Sequence, residues 1–376
     1  MSRPIDITGL GSVGPCGAVS GPLHGPVPVP SVVTVWPTAG VRFALPALPF
    51  RTADVLPKVN ARRLDRLSKW SLAAAALALR DAGLDLSAVS ASRTAVVSAI
   101  GLGCLDLTEA YLGSAHEHGW QQTDPIYFPE TLGNVPAAHV ARVFGCLGTN
   151  LTVGSRGAAA ETALLTAASL LRVGQADRVL VLAGDLLTRG LFDWYEAAGR
   201  LSDERGFVPS EGVAAIVLEA PGRHRARARL LDARWVQTVG RTPGSARDAF
   251  VPHLTRHEPA DEGVGRGPGG PPRHSEDAAA PRPAGQAKAC PTNAARLLAE
   301  VGHALACQRP LGGAPLLCKH QTAYPCAIGD GLPDTGGLFR ILTALATAAP
   351  AELLLILGAA PSGSCAVALL EVAAHD

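Results

Sequence analysis

The sequence predicts an α/β protein whose sheet is covered on both faces, and three observations carry that expectation. Short continuous apolar runs, such as RVLVLA at residues 178–183 and VAAIVLE at 213–219, lack the alternation of a half-exposed strand. Long runs of small and apolar residues, at 63–83 and 158–171, have helical length and alternate with those strands along the chain. Gly83 and Gly174 stand where these helices should stop.

Taken in order, the chain opens on an apolar strand that runs into glycines, IDITGLGSVG. Gly9-x-Gly11-x-x-Gly14 has the spacing of a dinucleotide-binding fingerprint, but Pro15 follows at once and no helix opens there. A turn after the first strand is expected instead. Residues 63–83, RLDRLSKWSLAAAALALRDAG, are apolar almost all round, which predicts a buried helix. TAVVSA at 94–99 is a buried strand, and the helix at 158–171 and the strands at 178–183 and 213–219 follow. From about 258 to 289 the chain is dense in Gly and Pro with no period, which predicts a loop. A helix at 293–305, a strand near 314–319, a helix at 337–347 and a last strand pair around 352–370 complete the reading. The elements fall into two βα-rich halves, 1–220 and 221–376, with the loop inserted in the second.

Composition sets the function class. A chain of 376 residues with 47% hydrophobic and 17% charged residues can bury a sizeable core. Lys+Arg 33 against Asp+Glu 32 leaves a formal charge of +1, no field to hold a polyanion, so nucleic acid is not expected as a partner. The start lacks a basic segment followed by an apolar one, and no apolar stretch is long enough for a membrane span, so a soluble cytoplasmic protein is expected. The 8 cysteines include no CxxC pair and complete no zinc spacing. Free thiols are therefore expected, with no metal and no cofactor.

Several stretches, in order and at matching separations, resemble the β-ketoacyl synthase family of the thiolase fold. ITGLGSVGPCG is similar to that family's first strand and turn, residues 63–83 to the helix after its first insertion, and FPETLGNVPAAHVA (128–141) to its Phe-Pro…Asn segment. RGFVPSEGVAAIVLE (205–219) resembles the DGFVxGEGAGxLVLE run and is the most specific match, while LGAAPSGSCAVALLE (357–371) corresponds weakly to the Gly-Phe-Gly-Gly-Thr-Asn ending. The resemblance covers nearly the whole chain, strong through residue 220 and thin from 240 to 290. It implies a thiolase-like fold with a layered αβαβα arrangement.

The family's chemistry needs a cysteine thiolate at the N-terminus of a buried helix to take an acyl chain from a carrier protein. Two histidines, or a histidine and an asparagine, stabilise the enolate formed when the malonyl carrier loses CO₂. In the matching stretch, GTNLTVGSRGAAA (148–160), the nucleophile's position falls on Gly157, which has no side chain to acylate. The first family histidine, of an HGTGT motif, falls near 281–289, PRPAGQAKA, which holds none; His274 lies in the Gly/Pro loop. The second, of a KxxxGH motif, falls between residues 328 and 330, and Lys319 takes the lysine's place only across a gap. The gatekeeping aromatic falls near Pro361.

Joint loss of nucleophile and histidines resembles the chain length factors of this family. It implies a chain that is not an enzyme on its own, pairs with a catalytic ketosynthase as a heterodimer, and shapes the tunnel in which a polyketide grows on an acyl carrier protein. The tunnel-ending positions carry over to Leu105, Thr108 and Leu112, whose i, i+3, i+7 spacing places them on one helix face. Core packing explains the same spacing. Leucine is smaller than the aromatic residues of aromatic-polyketide members, which implies a longer or differently shaped tunnel, suited to a linear chain such as a polyene. The competing expectation is a divergent catalytic synthase or acyltransferase using Ser155, for which the sequence nominates no base, or a displaced cysteine such as Cys146 or Cys326. The RHRARAR run at 223–229 offers either a docking patch for an acidic carrier or a solvated connector.

Overall fold

The computed structural model describes residues 3–24, 30–34, 36, 41–84, 93–154, 158–199, 201, 208–237, 337–349, 353–359 and 364–373. The expected loop at 258–289, the helix at 293–305 and the strand at 314–319 lie outside them.

The frame among the described residues is a nine-stranded mixed sheet. β5 (Thr94–Ala99) lies between β6 (Asn150–Val153) and β7 (Arg178–Asp185) and pairs with both in parallel. β8 (Gly212–Glu219), β1 (Ile5–Gly14), β9 (Ala228–Gln237), β11 (Ser364–Val372) and β10 (Leu353–Ala359) then follow as antiparallel neighbours. β2 (Gly17–Ser20) folds back on β1, and β3 (Ser31–Val32) and β4 (Phe43–Ala44) form a separate pair.

The continuous apolar runs have a direct cause: both faces of each central strand are covered. Ala95, Val97 and Ala99 of β5, Val179 and Val181 of β7, and Ala214, Ile216 and Leu218 of β8 share one core with α5 (Ala159–Arg172) and α7 (Gly337–Thr347). The residues between them, such as Val96, Leu180, Leu182, Val213, Ala215 and Val217, share the other with α2 (Arg66–Asp81) and α4 (Val135–Phe144). Each fully buried Leu, Ile or Val contributes about 1.5–3 kcal/mol of transfer free energy. The expected elements at 94–99, 158–171, 178–183, 213–219, 337–347 and around 352–370 are all present, within two or three residues.

α2 is shorter than its apolar run because Asp65 caps it, its side chain accepting the Ser68 amide at 2.9 Å. Gly83, at φ +70°, makes the left-handed stop.

The glycines of the first strand need a correction. They do not form a turn after β1; Gly9, Gly11 and Gly14 are part of it. A bulge between Ile7 and Gly9 shifts the register, so that Leu10 joins the α5 core while Val13 joins the α2 core. A Cβ on Gly9 would run into the Ala78 carbonyl oxygen, and one on Gly11 into that of Ala74. The spacing lets helix α2 lie directly against the strand.

The basic run at 223–229 also differs from expectation. Arg223 pairs with Asp177 at 3.2 Å, Arg227 with Asp81 at 2.6 Å and Arg229 with Asp6 at 3.4 Å, and from Ala228 the chain is already strand β9. Charges compensated in this way tie β9 to β1 and α2 and make a poor docking patch. Deeper, Arg340 of α7 meets Glu161 of α5 at 3.3 Å, joining the two helices of one face.

Candidate functional site

The tunnel-ending positions lie on α3 (Leu105–His118), which follows β5 across the turn Gly101-Leu102-Gly103-Cys104. Gly103 adopts φ +79°, and a Cβ there would press on the Gly133 Cα at 3.3 Å, so this turn needs glycine for conformation and for space. Asp185, at the end of β7, accepts hydrogen bonds from the Gly101 amide, 3.1 and 3.2 Å from its two oxygens, and from the Leu102 amide at 2.9 Å. One turn further on, Glu109 accepts from the Thr188 hydroxyl and from the Gly190 amide (3.4 Å), which opens α6 (Arg189–Ala197). Tyr111 holds the following segment by a hydroxyl contact to Thr123 at 3.2 Å and a tilted ring pair with Phe128 at 5.8 Å.

Leu105 and Thr108 are half-buried, and Leu112 is 50% exposed. The Thr108 hydroxyl donates to the Cys104 carbonyl at 2.8 Å, so its polar atom is engaged by its own helix turn. Ala115 is the one buried residue of α3. The leucine spacing is therefore not that of a core helix: α3 is held by polar anchors, with Leu105 half-buried and Leu112 exposed.

Other large apolar side chains are exposed as well. Leu102, Trp120 (68% exposed), Phe128, Leu147 (75%) and Leu151 stand out on the segments beside α3 and on or next to β6. β6 is also the last strand of the sheet, and among the described residues its outer edge has no partner. Sequence reasoning singled out Leu105 and Leu112 and missed these other exposed residues. The available signal was the cluster of aromatic and leucine residues from 120 to 151, too polar in between to form a core element.

The segment 128–141 is locked locally. His139 is buried; Arg142 donates to its Nδ1 at 3.0 Å, and its Nε2 meets both Glu130 oxygens at 3.0 and 2.9 Å. A guanidinium has only donors, so Nδ1 is an acceptor and the proton sits on Nε2, toward Glu130. This ties the 3-10 turn Phe128–Thr131 to α4.

Nucleophile candidates among the described residues are poor. Burial pushes the Cys146 thiol up to about 11, so the displaced cysteine expected as an alternative is a neutral thiol at physiological pH. Burial, reinforced by Asp65, pushes Cys104 well above the usual thiol range. Ser155 and Gly157 lie outside the described residues, between the end of β6 at Val153 and the start of α5 at Ala159; Cys326, the histidine positions and Pro361 also lie outside them. α5 itself is a buried helix, with Glu161 in its first turn.

A cleft of about 630 Å³ opens on the other side of α3, where Asp106 and Leu107 face Phe50, Asp65, Arg66 and Trp70. Its charged groups serve the fold. Arg66 pairs with Glu211 at 3.0 Å and lies 3.6 Å from Asp106, while Glu211 also accepts the Ala47 and Leu187 amides at 3.1 and 3.2 Å. Burial raises the Glu211 and Asp65 carboxyls above their ordinary values. Among the described residues no group of three or more His, Cys, Asp or Glu side chains is placed to hold a metal, and no helix is long and apolar enough to cross a membrane.

Comparison with known proteins places this architecture. Residues 51–223 match the family described as beta-ketoacyl synthase, N-terminal domain. Among curated proteins, the 3-oxoacyl-[acyl-carrier-protein] synthase 2 of Vibrio harveyi is 26% identical over 240 residues, 60% of this chain and 56% of that one. The enzyme of the same description from Vibrio cholerae is 25% identical over 287 residues, 70% and 67% of the two chains. The match thus spans little more than half the length of the first of these relatives. Among solved structures, "The ishigamide ketosynthase/chain length factor" superposes with a TM-score of 0.65 at 20% identity over 99% of this chain and 100% of that one. "AntDE:AntF (apo): type II PKS acyl-carrier protein in complex with its ketosynthase bound to the hexaketide" does so with a TM-score of 0.65 at 13% identity over the same 99% and 100%. At these identities the structures show the fold alone, a mixed α/β, thiolase-like one. Residues 51–223 thus match a β-ketoacyl synthase N-terminal domain, within a thiolase-like fold that extends over nearly the whole chain.

Proposed function

We propose that this chain is a non-catalytic, chain-length-factor-like subunit that pairs with an active ketosynthase and forms one wall of the tunnel for a polyketide growing on an acyl carrier protein. Two observations carry the reading: α3 buries only Ala115 and leaves Leu112 exposed, and the outer edge of β6 has no partner among the described residues. Apolar surface of this kind marks an interaction site, and an open strand edge is a template for a partner's strand. Leu105, Thr108 and Leu112 lie on one face of α3, where a second thiolase-fold chain would enclose them. Gly157, at the position carried over from the family nucleophile, has no side chain to acylate, which supports a helper role. For the carrier, Lys58, Arg62 and Arg63 are exposed and form no ion pair among the described residues, a positive surface suited to an acidic protein.

Size-exclusion chromatography tests the pairing. The lone chain is expected to aggregate or to form a weak homodimer, and co-expression with its ketosynthase to give a discrete heterodimer. A monodisperse lone monomer that ignores the synthase would refute it.

The tunnel assignment has its own test. Leu112→Trp adds bulk at the exposed end of the proposed wall, and the reconstituted complex is expected to release products at least one extension unit shorter. Unchanged product length by mass spectrometry removes Leu112 from the tunnel. An acyl adduct on this chain would instead favour the divergent-synthase alternative with Ser155.

A further inference from the structure

The turn that launches α3 is held by a carboxylate from another strand. Asp185 is 7% exposed at the end of β7, and two successive amides, Gly101 and Leu102, converge on it at 2.9–3.2 Å. Two neighbouring N–H groups aimed at one point form an anion-binding nest. Here the protein's own side chain fills it. Three residues further along the chain from Asp185, the Thr188 hydroxyl binds Glu109 of α3, and the Gly190 amide lies within 3.4 Å of the same carboxylate. The exit of β7 therefore carries two polar attachments of α3, one at its entry and one a turn inside it.

A helix with a single buried residue has little apolar packing to fix its tilt. Its position therefore leans on polar contacts, and those two fix its N-terminal half against β7. Leu112 lies seven residues beyond Leu105, about 10 Å along the axis at 1.5 Å per residue, so a small pivot at the Gly101–Cys104 turn is magnified at the far end. The Thr108 hydroxyl bond to the Cys104 carbonyl links the turn rigidly to the first helical residues.

We infer that Asp185 is a positioning residue for chain-length selection: by clamping the Gly101 and Leu102 amides it fixes where α3 sets the end of the tunnel. The inference rests on the reading of α3 as a tunnel wall. Asp185 touches no substrate in this account and acts only through the helix.

The test uses the full chain assembled with its ketosynthase and carrier protein, with product lengths read by mass spectrometry. Asp185→Asn keeps the shape and removes the charge, so both amides lose their charged acceptor and one carboxylate oxygen becomes an NH2 donor. Glu109→Gln loosens the same helix from its second attachment. Both variants are expected to co-elute with the synthase and to raise the fraction of off-length products about tenfold, the factor that corresponds to losing one charge-assisted hydrogen bond. A merely structural role would lower total yield and leave the length distribution alone. Leu112→Trp, run in parallel, separates the two levels of the argument. If it shifts product length while Asp185→Asn and Glu109→Gln do not, the positioning role is wrong and the tunnel reading stands. If none of the three shifts it, the tunnel reading falls and takes the inference with it.

Discussion

Arg340→Met is expected to destabilise the protein by about 3–5 kcal/mol, the usual loss when one partner of a buried ion pair is removed. Glu161 is 4% exposed and Arg340 2%, among the buried alanine, leucine, isoleucine and phenylalanine side chains of α5 and α7. Burial raises the Glu161 carboxyl above its ordinary range and the Arg340 charge draws it back. Without the guanidinium no countercharge is left, and burial is opposed only by the hydrogen bond from the Glu161 backbone amide.

The pH dependence follows in sign. In the variant, folded Glu161 holds a proton at pH values where the unfolded chain has released it, so stability falls as pH rises from the ordinary carboxylate value through the raised one. The deficit against the parent protein should therefore be larger at pH 7.5 than at pH 5.5. Urea unfolding at the two pH values measures it. The double replacement Glu161→Leu with Arg340→Met should recover most of the loss, because it removes the stranded charge as well. A single variant that loses under about 1 kcal/mol, equally at both pH values, would show that the pair is not the electrostatic link between α5 and α7.

The central strands were legible because burial on both faces leaves no alternation to misread: apart from the buried Ser98, β5, β7 and β8 are apolar through their middles. β9 was not. Its inward residues Ala228, Leu230 and Ala233 alternate with charged ones, and the arginines around its start look solvated until Asp6 and Asp81 are brought beside them from β1 and α2. Long-range pairing of that kind leaves no mark in a local window. The spacing of Leu105, Thr108 and Leu112 was likewise legible as one helix face, but whether that face meets a core or solvent depends on what the rest of the chain packs there. Asp185 showed nothing beyond a carboxylate closing an apolar strand; its role appears only when the fold sets β7 beside the turn after β5.

Gly11→Ala and Gly113→Ala make the same chemical change and are expected to act with opposite signs. At Gly11 the new methyl group would lie 2.5 Å from the Ala78 amide nitrogen and 2.9 Å from the Leu77 Cβ, and would overlap the Ala74 carbonyl oxygen. Helix α2 has little freedom to retreat: Asp81 accepts the Leu10 amide at 3.0 Å and the Ser20 hydroxyl donates to the Leu77 carbonyl at 2.9 Å, both fastening it to the β1–β2 hairpin. Overpacking against backbone costs about 1–3 kcal/mol, and the upper end applies where neither side gives way. Gly113, on the open side of α3, has nothing within 4 Å of its would-be Cβ, so alanine there removes only the conformational freedom of the unfolded chain and should stabilise by about 0.5–1 kcal/mol. Thermal unfolding of the two variants decides between close approach and flexibility as the reason for glycine in β1. Were Gly11→Ala to raise the melting temperature as Gly113→Ala is expected to, the contact between α2 and β1 would be looser than the geometry states, and the Gly9–Gly11 spacing would need another cause.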